Sequence, residues 1–114
     1  MRFLFLIRGD EEAERALPRE QMQEIIDRHM AFSAGLRERG QYVLGEALAG
    51  SEGAFVVRPG DPVAVTDGPH AATKEALGGF YVVDCADRDE AVKLAALVPR
   101  SPGSFIEVLT TVEV

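Results

Sequence analysis

The sequence predicts a single α+β domain of the ferredoxin-like type, in which an antiparallel sheet carries two helices on one face and an extra hairpin. Hydrophobic periodicity gives the order strand, helix, strands, strand, helix, strand, which is the split βαβ arrangement with a hairpin added. The length of 114 residues suits one domain with a hydrophobic core of its own. Residues 1–114 are therefore assigned to one domain.

The first strand is predicted over residues 2–8. Phe3, Phe5 and Ile7 fall on one side of this strand, and Leu4 and Leu6 fall on the other. Because both sides are apolar, we expect both sides of the strand to be covered.

The first long helix is predicted to begin near Pro18 and to end at Gly40. Proline suits the first turn of a helix, and glycine commonly follows the last turn. Between these two residues, the side chains of one helical face recur at spacings of three and four. They are Met22, Ile25, Ile26, His29, Phe32, Ser33 and Leu36.

In the middle of the chain, the pattern of apolar residues and turn residues predicts strands only. Residues 42–48 form one strand, and the apolar segments around the PGDP sequence form a hairpin over residues 54–66 with a four-residue loop. Residues 79–86 form a further strand that is apolar on both faces.

The last third of the chain predicts a helix and a final strand. Asp87 and Glu90 have the spacing of a helix-capping pair, and Pro99 ends the helix after about Val98. Residues 104–114 form the closing strand.

The two strands with two apolar faces predict a homodimer. Two helices cover one face of a sheet, so the other face needs a partner. A second copy of the chain is the simplest partner, and we expect a dimer packed sheet to sheet.

Composition excludes some classes of ligand and partner. The net charge is −7, and lysines and arginines form no basic stripe, which disfavours direct nucleic acid and acidic membrane surfaces as ligands. One cysteine, Cys85, allows no intrachain disulfide and is compatible with a reducing cytoplasm. The apolar run near the N-terminus is too short for a secretory signal or a membrane helix, so a cytoplasmic location is predicted.

The segment VTDGPHAATKEALGGFYVVD, residues 65–84, resembles the signature of the YCII-related family in its DGPF branch, usually written around DGPFAETKE. His70 and Ala72 depart from that signature, which has phenylalanine and glutamate there. The matching positions are Asp67, Gly68, Pro69, Ala71, Thr73, Lys74, Glu75, Leu77, Gly78, Gly79 and Phe80.

The resemblance implies a dimeric α+β barrel, similar to that of small lactone isomerases and monooxygenases. It implies an acid/base pair of a helix histidine and the motif aspartate, which correspond here to His29 and Asp67. Members of this branch also resemble bacterial proteins linked to alternative sigma factors.

Each candidate residue has a structural interpretation beside the functional one. His29 is either a core histidine or a general acid/base, and Asp67 is either a turn residue or the group that orients the histidine. His70, Thr73, Lys74 and Arg8 are candidates for substrate binding; the alternatives include a solvated turn for Lys74 and, for Arg8, an ion pair with the acidic residues that follow it.

Two functions remain open from the sequence. One is a dimeric enzyme that moves a proton on a small organic molecule by isomerisation, lactone chemistry or cofactor-free oxygenation. The other is a ligand-binding or regulatory module without chemistry. No cofactor is implied, and a metal site is disfavoured because no recognised ligand spacing occurs.

Overall fold

The computed structural model describes residues 1–69 and 74–113. Its elements, in chain order, are β1 (Arg2–Gly9), α1 (Glu11–Arg15), α2 (Arg19–Glu38), β2 (Tyr42–Ala47), β3 (Phe55–Arg58), β4 (Ala64–Asp67), β5 (Ala76–Asp84), α3 (Arg88–Ala96) and β6 (Phe105–Thr110).

Within these described residues, four strands form one sheet in the order β2-β5-β1-β6, and β3 and β4 form a separate hairpin. All the strand pairs are antiparallel. The predicted α+β class is confirmed, and the strand order is compatible with a ferredoxin-like fold.

One face of the sheet carries the hydrophobic core. Phe3 and Phe5 of β1 and Tyr81 and Val83 of β5 are buried in one cluster. These residues alternate along their strands, so they lie on the same side of the sheet. Residues of α2 and α3 complete the cluster; they are Leu36, Ala91, Leu94 and Ala95. The expectation that two helices cover one face is therefore confirmed.

The opposite face, which we call the outer face, carries a second set of apolar side chains. One row of cross-strand neighbours runs over all four strands of this sheet. From β2 to β6 it consists of Leu44, Val82, Leu4 and Leu109, each paired with the next. Leu44 is 46% exposed and Leu109 is 42% exposed. A row of this kind is typical of a surface that binds a partner.

Local sequence explains the start of both short helical segments. At α1, which the sequence analysis did not predict, Asp10 accepts a hydrogen bond from the backbone N–H of Ala13 at 3.1 Å. At α3, Asp87 accepts one from the N–H of Glu90 at 2.9 Å, which confirms the predicted cap. In both cases a carboxylate satisfies an N–H group that the helix leaves free.

Several boundaries differ from the sequence prediction. Strand β6 spans Phe105–Thr110 and is shorter than the predicted strand over residues 104–114, β5 ends at Asp84 and not at residue 86, and α3 ends at Ala96 and not at Val98.

The hairpin loop spans residues 59–63, one residue more than expected, because β4 begins at Ala64. Strand β5 begins at Ala76 and not at residue 79, because Ala76 and Leu77 pair with Gly9 and Arg8 of β1. Gly78 and Gly79 are therefore part of the sheet.

None of the helices in the described part of the chain is long and apolar enough to cross a membrane.

Candidate functional site

A cavity of about 650 Å³ lies between α2 and the strands β2 and β5. Apolar side chains form much of its wall, and a small set of polar groups enters it, as is usual for small-molecule sites. The polar side chains at the wall are Glu14, His29, Ser33, Arg37, Tyr42, Glu46, Tyr81 and Ser101.

Helix α2 supplies one wall through a regular stripe. Met22, Ile26, His29, Ser33 and Arg37 follow one another at spacings of three and four, and all line the cavity. Residues at these spacings lie on the same helical face. The stripe changes from apolar side chains at the start of α2 to polar and cationic ones towards its end.

The central contact joins α2 to β5. The Nδ1 atom of His29 lies 2.8 Å from the hydroxyl oxygen of Tyr81. The two rings also stack, with centroids 5.9 Å apart and planes inclined by 21°. Phe32 packs its edge against Tyr81 at 5.2 Å, so the tyrosine ring is held from two sides.

Ser33 lies one helical turn after His29 and extends the polar cluster. Its hydroxyl donates a hydrogen bond to the backbone carbonyl of His29 at 2.9 Å, and its Oγ lies 3.4 Å from the Tyr81 hydroxyl oxygen. The shorter contact takes the serine proton, because a hydrogen bond weakens as its length grows.

Gly45 leaves space for the Tyr81 ring, and Gly79 leaves space for the backbone of the neighbouring strand β2. Gly45 of β2 is the cross-strand partner of Tyr81. A Cβ at position 45 would lie 2.7 Å from the Cδ1 atom of Tyr81, and a Cβ at Gly79 would lie 2.9 Å from the backbone oxygen of Glu46. Both distances are shorter than van der Waals contact, so any larger residue at either position would displace the tyrosine or the strand.

Burial sets the protonation of the central pair. It lowers the pKa of His29 from its ordinary value of 6.5. Burial is also the largest cause of a raised pKa at Tyr81, opposed by the nearby Ser33 hydroxyl and the charge of Arg37. At neutral pH both groups are neutral. A phenol is the better donor and an imidazole nitrogen the better acceptor, so Tyr81 donates to Nδ1 and the ring proton of His29 lies on Nε2.

The positively charged side chain of Arg37 lies at the polar end of the cavity. The guanidinium carbon of Arg37 lies 4.2 Å from the centroid of the Tyr42 ring, which is a cation–π arrangement. Both residues line the cavity.

Asp67, the predicted partner of His29, lies at the end of β4 and pairs with Phe55 in the hairpin. It is exposed and is not among the described residues that line the cavity. Among the described residues, the side chain that forms a hydrogen bond with the His29 ring is Tyr81, and the pairing with Asp67 stays a prediction.

Arg8 and Lys74 lie away from the first cavity. Both line a second cavity of about 870 Å³, together with Pro69 of the DGP sequence. The Nε atom of Arg8 lies 2.9 Å from Oε1 of Glu107 on the adjacent strand β6. The expected ion pair of Arg8 with the acidic residues after it is therefore wrong, because the sheet places Glu107 beside it. His70 and Thr73 lie outside the described residues.

Tyr81, Ser33 and Arg37 were not predicted as site residues from the sequence. Ser33 and Arg37 could have been predicted from the sequence, since they follow His29 by four and eight positions on one helical face. Tyr81 carried one signal, a hydroxyl in an otherwise apolar strand. A buried tyrosine hydroxyl usually has a hydrogen-bond partner, and here it is His29.

In the described part of the chain, no three His, Cys, Asp or Glu side chains are grouped so that they could hold a metal ion.

Two comparisons with known proteins give relatives. A family model for the YCII-related domain matches residues 1–113. An uncharacterized protein of Rhizobium meliloti is 33% identical over 97 residues, which make up 83% of this chain and 77% of the relative.

Proposed function

Since the chain belongs to the YCII-related family, we propose that it is a small enzyme that moves a proton on a small organic molecule. His29 is the general acid/base, and Tyr81 is the group that positions it. The observation that carries the proposal is the 2.8 Å contact between these side chains at the wall of a 650 Å³ cavity. A histidine within reach of both a ligand and a fixed partner is the usual arrangement for acid/base catalysis.

The hydrogen bond between His29 and Tyr81 supports proton transfer from His29 to a substrate and from a substrate to His29. With Tyr81 donating to Nδ1, the Nε2–H group of His29 is free to donate to a substrate oxygen. When the hydrogen bond reverses and Nδ1–H donates to the Tyr81 oxygen, the Nε2 lone pair can accept a proton from a carbon acid. The imidazolium formed then returns a proton at a second atom, and the net reaction is an isomerisation. Lactone chemistry and cofactor-free oxygenation begin with the same proton abstraction.

The lowered pKa of His29 suits the role of a base. A histidine with a lowered pKa keeps its neutral form in weakly acidic solution, where an ordinary histidine is protonated. Its basicity is correspondingly modest, so the substrate proton has to be activated by an adjacent carbonyl group.

A homodimer that forms an α+β barrel is proposed for the assembly. The apolar row on the outer face supports it, and so does the hairpin, where Phe55, Val57 and Val65 lie exposed on one face. Asp67 shares this hairpin face, because it alternates with Val65 along β4. Docking of that face on a second copy would carry the carboxylate into the interface, and pairing of Asp67 with His29 is retained as a proposal in that form.

A ligand-binding module without chemistry is the second candidate. The observation that favours it is the neutral phenol beside His29, which does not raise the basicity of the imidazole as a carboxylate would. In that case His29 and Tyr81 orient a ligand by hydrogen bonds, and no proton leaves carbon.

Deuterium incorporation separates the two candidates. The protein is incubated in D2O with a panel of small ketones and lactones, and exchange at carbon is followed by NMR. An enzyme gives exchange that is lost in His29→Gln and retained in Arg28→Gln, a control on the same helix whose side chain pairs with Glu24. Binding without exchange over the whole panel supports the module instead.

A further inference from the structure

We infer that the cavity takes a small, largely apolar molecule with one anionic oxygen group, and that Arg37 binds this group. The inference rests on the proposed function, since it concerns the substrate of the same site. It names the substrate class and adds a residue that determines specificity.

The position of Arg37 is the first support. Its guanidinium stacks on the Tyr42 ring with 4.2 Å between guanidinium carbon and ring centroid. Stacking on an aromatic ring leaves the N–H groups at the edge of the guanidinium free to bind a carboxylate or enolate. A stacked arginine also loses less side-chain entropy on binding, because its side chain is already ordered.

The charge of Arg37 is available to a ligand. Among the described residues, Arg2, Arg8, Arg15 and Arg28 take part in ion pairs, and Arg37 does not. Arg37 is exposed to solvent at the wall of the cavity, and a cation there without a carboxylate partner favours an anionic group on the ligand.

The cavity is apolar away from Arg37. Met22 and Ile26 line its wall near the start of α2, and Met30 and Phe80 also contribute. From Ile26 to Arg37 the helix rises by about 16 Å, which is the length of a small molecule and its contacts. A ligand with an apolar body and a charged group at one end matches this distribution.

Two carboxylates at the wall limit the charge of the ligand. Glu14 of α1 and Glu46 of β2 line the same cavity. Glu14 precedes α2 in the chain and so lies towards the helix start, away from Arg37. A second anionic group on the ligand would meet this negative charge, so a monoanion is favoured over a dianion.

Arg37 also has a purely structural explanation. It lies in the last turn of α2, where a cation interacts favourably with the helix dipole. That role predicts an effect of substitution on stability and none on ligand charge preference, so a binding measurement distinguishes the two.

The experiment compares carboxylates with their neutral amides. Benzoate and hexanoate, each beside benzamide and hexanamide, are titrated into the whole protein, and binding is read from the NMR signals of the His29 ring. The variants are Arg37→Gln, Arg37→Lys and the control Arg28→Gln; circular dichroism checks that each is folded. We expect a carboxylate to bind the wild type, about tenfold weaker binding in Arg37→Gln, partial recovery in Arg37→Lys and no change in Arg28→Gln. The amides should not respond to Arg37.

Each other outcome counts against the inference. If a carboxylate moves the His29 signals equally in the wild type and in Arg37→Gln, the assignment of Arg37 is wrong while the site of the proposed function stands. If an amide binds as well as its carboxylate, the anionic substrate class is wrong. If no probe moves the His29 signals up to millimolar concentration, the inference fails and the proposed site fails with it.

Discussion

The Nδ1 atom of His29 and the hydroxyl oxygen of Tyr81 lie 2.8 Å apart, although 52 positions separate the two residues in the chain. The contact joins the long helix to a central strand of the sheet, at the wall of the cavity. It therefore ties the fold and the proposed chemistry to the same pair of side chains.

Replacement of the tyrosine tests the structural side of this contact. In Tyr81→Phe the ring and its packing remain, but the hydrogen bond to His29 is lost, and we expect the free energy of unfolding to fall by about 1 kcal/mol. Urea denaturation measures it. Tyr42→Phe is the matched control, because phenylalanine keeps the ring on which Arg37 stacks. An equal effect of the two substitutions would contradict the account.

The glycine opposite Tyr81 is expected to tolerate no side chain. In Gly45→Ala the new Cβ would lie 2.7 Å from the Tyr81 ring, so we expect a loss of about 1–3 kcal/mol in unfolding free energy. Gly78→Ala is the control in the next strand, since a Cβ there would have its nearest neighbour at 3.8 Å. Similar stability of the two variants would mean that space for the tyrosine does not constrain the sheet.

The lowered pKa of His29 predicts a pH dependence of stability. The unfolded chain binds a proton at this histidine near pH 6.5, and the folded protein binds it only at lower pH. The stability contributed by neutral His29 is thus complete above pH 6.5 and is lost as the pH falls through the folded-state pKa. We expect the difference in unfolding free energy between wild type and His29→Gln to shrink from neutral pH to about pH 5. A pH-independent difference would contradict the shift.

Cys85 is expected to be unreactive in the native state. It is 4% exposed, and burial is the main cause of its raised pKa. Because the thiolate is the reactive form, a disulfide reagent should modify it only when the protein is unfolded. Absorbance of the released thiol, with and without denaturant, measures this. Fast modification of the folded protein would show that the strand end around Cys85 opens.

The proposed dimer is expected to depend on the outer face of the sheet. Leu109→Lys places a charge in the apolar row, and we expect it to yield a monomer by light scattering where the wild type is a dimer. Val92→Lys is the control, because Val92 is 53% exposed and lies on α3, on the other side of the sheet. A monomeric wild type, or a dimer unaffected by Leu109→Lys, would rule out sheet-to-sheet packing.

The helices and strands of the fold could be predicted from the sequence because each depends on a pattern of residues close together in the chain. The α2 stripe, the capping pair at Asp87 and the two-faced strand β1 all depend on residues within a few positions of one another. The start of β5 was predicted three residues too late, because glycines are depleted in strands and Gly78 lies at a register shift between β1 and β5.

The candidate site could be predicted from the sequence only in part, because its contacts join residues that are far apart in the chain. His29 was identifiable from its place in an apolar helical face. Its partner depends on how α2 packs on β5, and this register is set by the whole core, not by local sequence. Arg8 shows the same limit, because its partner Glu107 becomes adjacent only when β1 and β6 pair. Asp67 lies on a hairpin whose position no local pattern determines.

The most direct test of the central claim is an NMR pH titration of the His29 ring in the wild type and in Tyr81→Phe. Asp67→Asn in the same series tests the predicted carboxylate, since loss of a nearby negative charge would lower the pKa of His29. We expect His29 to titrate below pH 6.5 in the wild type, and its pKa to rise in Tyr81→Phe, because the donor that favours the neutral ring is gone. A pKa above 6.5 that does not respond to Tyr81→Phe would contradict the pairing of His29 with Tyr81.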